Sequence, residues 1–336
     1  MQAFAYGKPT TAAEAVERLG KNWNDAAILA GGTDLLALMK DNIAAPQRVV
    51  NIKGIRELEG IHETAQGLRI GTLVSLEDLR KNDFVRKEFP AVHQAAVGVT
   101  SPQIRTMGTV GGDLCQRPRC WYYRAGFGLL ARDAQGRALV PDGDNRYHAI
   151  LGNSGPAYFV SPSSLAPPFI ALGAKVRLVG PSGEREIALA DFFVIPQSEE
   201  QREHALAPNE VLTEIIIPAA SRGLRNATYE VRQREALDWP LATASVALQM
   251  NAGKIAGARV VLGHVAPIPW VAGDAEKLLA GKTITPETAS QAGDAAVHGA
   301  KPLSRNGYKV QLARVAVERA LLAAAGREQA AARGGE

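Results

Sequence analysis

Ala26-Ala27-Ile28-Leu29-Ala30-Gly31-Gly32-Thr33-Asp34-Leu35-Leu36-Ala37-Leu38-Met39 is the stretch that decides how the N-terminal part of this chain is read. The apolar run 26–30 reads as a short strand, Gly31-Gly32-Thr33 as a turn, and 35–39 as a short helix. Glycines placed between a strand and a helix let backbone amides approach an anion with no side chain in the way. The helix start adds partial positive charge, and Thr33 adds a hydroxyl donor. The device recurs at Gly108-Thr109-Val110-Gly111-Gly112-Asp113. Two such turns converging suit a pyrophosphate-containing cofactor; taken singly, each glycine pair reads first as a plain tight turn. Neither matches G-x-G-x-x-G or a P-loop, which disfavours a Rossmann nicotinamide site and an NTPase site.

Small α/β units surround the first turn. Thr11 and Glu14 have capping-box spacing, with Ala12, Ala15, Val16 and Leu19 on one face and Gly20 as the stop. Residues 48–52 and 68–73 read as strands, and Ser75 to Asp78 caps a helix. A helical stripe over 84–97 is interrupted near Pro90. Residues 126–145 have little periodicity and read as a long surface loop. An apolar stretch surrounds 166–172, and a hairpin turns through Gly180-Pro181-Ser182-Gly183. A strand over 211–217 ends at Pro218. A domain boundary falls near 218–226. Beyond it, Asn251-Ala252-Gly253-Lys254 signals a hairpin, Thr285-Pro286-Glu287 a helix start, and 305–325 a long alanine-rich helix before a frayed tail.

Composition narrows the function classes. At 336 residues, with roughly 150 per domain, the chain has room for about two domains. Hydrophobic residues at 46% and charged residues at 21% exclude a disordered or fibrous chain. A net charge of +4 is too small and dispersed to point to nucleic acid. No apolar run is long enough to span a membrane, and residues 1–9 carry no secretory pattern. The expectation is a soluble cytoplasmic protein, or a periplasmic one exported only on a signal-bearing partner. Cys115 and Cys120 are too few for a disulfide framework or a four-thiolate cluster. The histidines at 62, 93, 148, 204, 264 and 298 lack metal-site spacing and read as structural or surface residues. G-x-S-x-G is absent. The cluster Arg117, Arg119, Trp121, Tyr122, Tyr123, Arg124 reads as a solvated or subunit-facing loop. No acid–base constellation stands out, and a redox flavoprotein needs none.

Taken together, Ala30-Gly31-Gly32-Thr33-Asp34, Thr100-Ser101-Pro102-Gln103-Ile104-Arg105 and the second glycine turn resemble the FAD-binding medium subunit of the xanthine dehydrogenase family of molybdenum hydroxylases. Gln116-Arg117-Pro118-Arg119-Cys120-Trp121-Tyr122 and Asn145-Arg146-Tyr147-His148-Ala149-Ile150 are most similar to its bacterial aldehyde oxidoreductase branch. The resemblance implies an α+β chain. Its N-terminal FAD-binding domain (1–220) would have two α/β subdomains of the vanillyl-alcohol-oxidase (PCMH) type, about 1–55 and 56–220, with a long loop at 114–157. A smaller C-terminal α+β domain (221–326) and a tail (327–336) would follow. It places the FAD pyrophosphate on the first turn, with Leu29, Ala30, Gly31, Gly32, Thr33, Asp34 and Leu35 as candidate cofactor residues. Gly108, Thr109, Val110, Gly111, Gly112 and Asp113 would lie near the ribityl and adenine portions, with Cys115 lining the cavity. Val99, Thr100 and Ser101 would approach the flavin ring. Trp239, beside Asp238, is a weaker candidate there. Ser164 stands where the family commonly carries an aspartate near the FAD.

Members of this branch often hold a 4Fe–4S cluster in the loop that here spans 120–157. This chain keeps Cys120, but Leu129, the 136–138 region and Ala157 stand where the other thiolates would be, so no such cluster and no metal site are expected. The lysine the family would place around Glu230 or Val231 is also absent. The implied function is an electron-transfer subunit. A molybdenum cofactor on a large partner subunit oxidises substrate, and 2Fe–2S clusters on a small one relay electrons. FAD here delivers them to an external acceptor. A stand-alone flavin-dependent reductase or oxidase of the same fold is the alternative, and a cofactor-free interaction subunit is a third reading.

Overall fold

The computed structural model describes residues 1–233 and 239–326. The first sheet is parallel, in the order β1 (Ala5–Gly7), β3 (Arg48–Asn51), β2 (Ala26–Leu29). Helix α1 (Ala12–Arg18) links β1 to β2, and α2 (Leu35–Lys40) links β2 to β3. Thr11 caps α1 by accepting the Glu14 amide at 3.1 Å. The Glu14 carboxylate accepts from the Thr10 amide at 2.7 Å, one residue earlier than a strict capping box. Ala12, Ala15 and Val16 pack inward on Val50 and Ile52. The fold expected over 26–39 is therefore present: β2 runs into the glycine turn, and α2 starts at once behind it.

The second sheet is antiparallel throughout. It contains β4 (Ile61–Thr64) and β5 (Gly67–Gly71), followed in the chain by α3 (Leu76–Lys81), α4 (Asp83–Glu88), α5 (Pro90–Gly98), α6 (Pro102–Met107), α7 (Val110–Cys115), α8 (Trp121–Arg124) and α9 (Ala166–Ala171). Then come β6 (Lys175–Gly180), β7 (Gly183–Ala188), α10 (Leu189–Phe192) and β8 (Val211–Pro218), giving the strand order β4-β5-β8-β6-β7. β8 sits in the middle and is buried along most of its length, which is why it reads as a nearly unbroken apolar run. The stripe over 84–97 is two helices because a residue before proline avoids the helical region, and Phe89 makes the corner, fully buried.

The third sheet is antiparallel, in the order β12-β11-β10-β9, with β9 (Arg225–Val231), β10 (Ala242–Asn251), β11 (Lys254–Gly263) and β12 (Trp270–Val271). Ala252 (φ 47°) and Gly253 (φ 80°) make the expected hairpin turn. Helices α11 (Gly273–Leu279), α12 (Pro286–Ala296) and α13 (Tyr308–Ala324) share a core with this sheet through Ala275, Ala292, Ala316, Val317 and Leu321. Thr285 caps α12 through the Thr288 amide. The tail from 327 onward and Asp238 lie outside the described residues. Among those described, no helix is long and apolar enough to cross a membrane.

The segment 126–145 departs from the reading as a surface loop. It has no regular element, but Leu129, Leu130 and Val140 are buried. The Glu199 carboxylate accepts from the amides of Leu129 and Leu130 at 2.6 and 2.9 Å. Buried Asn145 donates to the Val140 and Pro141 carbonyls. The stretch lacks periodicity because local turns and these side-chain anchors, rather than a ladder, satisfy its backbone.

Candidate functional site

The two glycine turns meet. A Cβ on Gly31 would lie 1.9 Å from the Met107 carbonyl oxygen and 3.1 Å from the Gly108 Cα, so only glycine permits this approach. Gly32 has φ 76°, a conformation that favours glycine. Among the described residues, no hydrogen bond uses the amides of Gly31, Gly32, Thr33 or Asp34 as donors, nor the Thr33 hydroxyl. Four successive donors without acceptors form an anion-binding concavity.

The second turn is built differently. The amides of Gly108, Val110, Gly111 and Asp113 donate to the carbonyls of Ile104, Val74, Thr72 and Thr109. The Gly112 amide donates to Thr109 Oγ1 at 3.1 Å, capping α7. This turn therefore offers a face free of side chains rather than free amides. A Cβ on Gly112 would meet only Thr109 Oγ1, at 3.0 Å. The Thr109 hydroxyl accepts from Gly112 and keeps its own proton for a ligand.

Both turns line a cavity of about 250 Å³ that includes Ala30 to Leu35, Thr109, Gly111, Gly112 and Cys115 and extends to Trp23 and His204. A second cavity of about 110 Å³ is lined by Val99, Thr100, Ser101, Gly108, Asp113, Ser164 and Trp239. The two share Thr33, Asp34, Thr109, Gly112 and Gln116. The result is one elongated channel with the glycine turns at its waist. Leu29 and Val110 do not reach it; both are buried in neighbouring apolar clusters. Burial pushes the Cys115 thiol up to about 12, so it lines the wall as a neutral group.

Two carboxylates organise the waist. Asp113 is buried, and burial raises its pKa. It accepts from Ser163 Oγ (2.5 Å), the Leu165 amide (3.0 Å) and Gln116 Nε2 (2.9 Å), tying α7 to the segment that presents Ser164. Asp34 accepts from the Arg117 amide at 2.8 Å and Arg124 Nη2 at 2.9 Å, and forms an ion pair with Arg119 Nη1 at 3.0 Å. Arg117 also pairs with Glu203 at 2.5 Å. The arginine cluster is thus folded inward, contrary to the solvated reading, because its anionic partners lie far away in sequence. Sequence reasoning missed Arg119, Gln116 and Arg232 on the channel wall. Trp239 lies there too, under the Arg119 guanidinium at 4.6 Å from the ring centroid.

Near the other end of the 120–157 segment, Leu129 and Ala157 are buried with Tyr123 and Phe159, and Cys120 packs against them. Among the described residues, no group of three or more His, Cys, Asp or Glu is placed to hold a metal ion.

A channel crossed at its waist by free amides and side-chain-free backbone has the chemistry of a phosphate-binding site. Residues 2–220 match the family described as FAD binding domain in molybdopterin dehydrogenase, and 227–324 match the CO dehydrogenase flavoprotein C-terminal domain. The aldehyde oxidoreductase FAD-binding subunit PaoB of Escherichia coli (strain K12) is 32% identical, covering 94% of this chain and 96% of the relative. A solved carbon monoxide dehydrogenase from Hydrogenophaga pseudoflava superposes with a TM-score of 0.76 at 30% identity, over 97% of this chain and 98% of that one. Quinoline 2-oxidoreductase from Pseudomonas putida 86 gives 0.74 at 26% identity, over the same shares. The chain belongs to the FAD-binding medium subunits of the molybdenum hydroxylase (xanthine dehydrogenase) family. Its architecture is α+β, with an N-terminal FAD-binding domain of the vanillyl-alcohol-oxidase type and a smaller C-terminal domain. Its family-level role is electron transfer within a molybdenum hydroxylase complex.

Proposed function

We propose that this chain holds FAD along the two-cavity channel and passes electrons from 2Fe–2S clusters of a small partner subunit to an external acceptor. The molybdenum cofactor of a large partner oxidises the substrate. Bound FAD would supply the junction between one-electron and two-electron carriers. The diphosphate would accept from the amides of Gly31, Gly32, Thr33 and Asp34 and from the hydroxyls of Thr33 and Thr109. Behind the turn Arg119 and Arg124 share Asp34 while Arg117 pairs with Glu203, so the guanidiniums exceed these two carboxylates by one, a field that favours an anion at the waist. Val99, Thr100, Ser101 and Ser164 would line the riboflavin end, and Asp113 would set their spacing through Ser163 and Leu165.

The observation that carries this reading is the contact of Gly31 with Met107, which brings four unpaired amides and a second glycine turn to one waist. Purification under native conditions tests it. The chain should carry about one FAD and travel with a molybdenum-bearing and an iron–sulfur subunit. A flavin-free chain, or a lone chain turning over a small substrate, contradicts it.

A further inference from the structure

The wall of the riboflavin end is held from behind. Val99 and Thr100 line it, and they lie between α5 and α6 in neither helix nor strand, so their carbonyls must find partners outside a regular ladder. Arg105 of α6 supplies one. Its Nη1 donates to the Val99 and Thr100 carbonyls at 2.8 and 3.1 Å, and its Nε donates to Glu77 Oε2 at 2.9 Å. Little of either charged side chain reaches solvent, 17% for Arg105 and 14% for Glu77. A guanidinium suits this position because its rigid fork directs donors to a carboxylate and to carbonyls at once. Arg105 itself lines neither cavity of the channel, so anything it does for a ligand passes through the wall.

Glu77 in turn sits on a fixed element. It belongs to α3, whose Leu76 and Leu79 are buried in the core. Its carboxylate accepts two bonds from Arg80, at 2.6 and 3.0 Å, and pairs with Lys81 at 3.4 Å. The bonds from Arg80 and then Arg105 hold it well below the usual carboxylate range, so it is an anion at pH 7. The start of the same helix reaches the waist. The Leu76 amide donates to the Gly108 carbonyl at 3.0 Å, and Ser75 bridges to Thr109. One packed helix therefore fixes both the second glycine turn and, through Glu77 and Arg105, the segment at the riboflavin end.

We propose that Arg105 is a positioning residue: anchored on Glu77 and acting through the Val99 and Thr100 carbonyls, it sets where the flavin ring rests relative to the diphosphate. The assignment deepens the FAD reading and rests on it. The test compares FAD with ADP, which keeps the diphosphate and lacks the ring. The full-length chain, freed of flavin, is titrated calorimetrically with each. Arg105→Met should weaken FAD about tenfold or more, near 1.4 kcal/mol, and leave ADP within about twofold. The visible circular dichroism of the bound flavin should change with it. Arg80→Met strips the same carboxylate without touching the wall, so it should keep the wild-type ratio of FAD to ADP affinity. Arg105→Lys has one nitrogen in place of the fork and should fall between the wild type and Arg105→Met; it carries the test if the methionine variant does not fold. Equal loss of FAD and ADP, an unchanged ratio, or a change in Arg80→Met as large as that in Arg105→Met overturns the proposal. A wild-type chain that binds no FAD overturns the FAD reading itself, and this assignment with it.

Discussion

Gly31→Ala is the sharpest perturbation of the waist. The added methyl would sit 1.9 Å from the Met107 carbonyl oxygen and 2.8 Å from its carbon, both backbone atoms that no rotamer change can move. The two turns must part. Overpacking of this kind costs about 1–3 kcal/mol, which for a domain of this size lowers Tm by about 2–12 °C. The same shift pulls the amides of 31–34 off a bound diphosphate. Each charge-assisted hydrogen bond lost is worth about 1.5–3 kcal/mol, or about 10- to 150-fold in FAD affinity. The assay pairs thermal melting with FAD retention measured by absorbance after desalting. Gly112→Ala is the companion: its methyl meets only a hydroxyl and faces the channel, so FAD should be lost while Tm stays near that of the wild type. If Gly31→Ala retains full FAD at an unchanged Tm, the turns do not hold the diphosphate in the way argued.

Asp34→Ala removes the anion shared by Arg119 and Arg124, both partly buried. Because some solvent reaches them, the loss should sit at the low end for a broken buried pair, about 3 kcal/mol, measured by urea unfolding; a change under about 0.5 kcal/mol would show the clamp to be ornamental. His264 is held neutral down to about pH 3, whereas the unfolded chain protonates it near 6.5. Its contribution is therefore complete above pH 6.5 and lost as pH falls, by up to about 1.4 kcal/mol per pH unit. His264→Gln should flatten the acid limb of the stability curve, and curves parallel to the wild type would refute this. With its partners removed, the chain should hold less than one iron, because Leu129 and Ala157 fill the 120–157 segment with apolar side chains; four irons on this polypeptide would contradict that assignment.

Local signals in the sequence were sound wherever local physics decides. Thr11, Ser75 and Thr285 cap the helices their spacing implied, and Asn251 to Lys254 turns the hairpin. The glycine turns could be read as candidates because their lack of side chains is itself the signal. What stayed hidden depends on distant partners. β8 inserts between β5 and β6 only after more than a hundred residues, so the antiparallel second sheet could not be read from neighbours. The inward turn of Arg117, Arg119 and Arg124 requires Asp34 and Glu203, and nothing near the cluster announces them. The glycine pairs also look alike in sequence, yet one leaves its amides free while the other pairs most of its own through Thr72, Val74 and Thr109.

A structure of the FAD-loaded chain tests the central claim most directly. It should place diphosphate oxygens about 2.7–3.2 Å from the amides of Gly31 to Asp34, with the isoalloxazine directed toward Val99, Thr100 and Ser164. A diphosphate facing away from those four amides, or FAD bound outside the channel, would contradict the account.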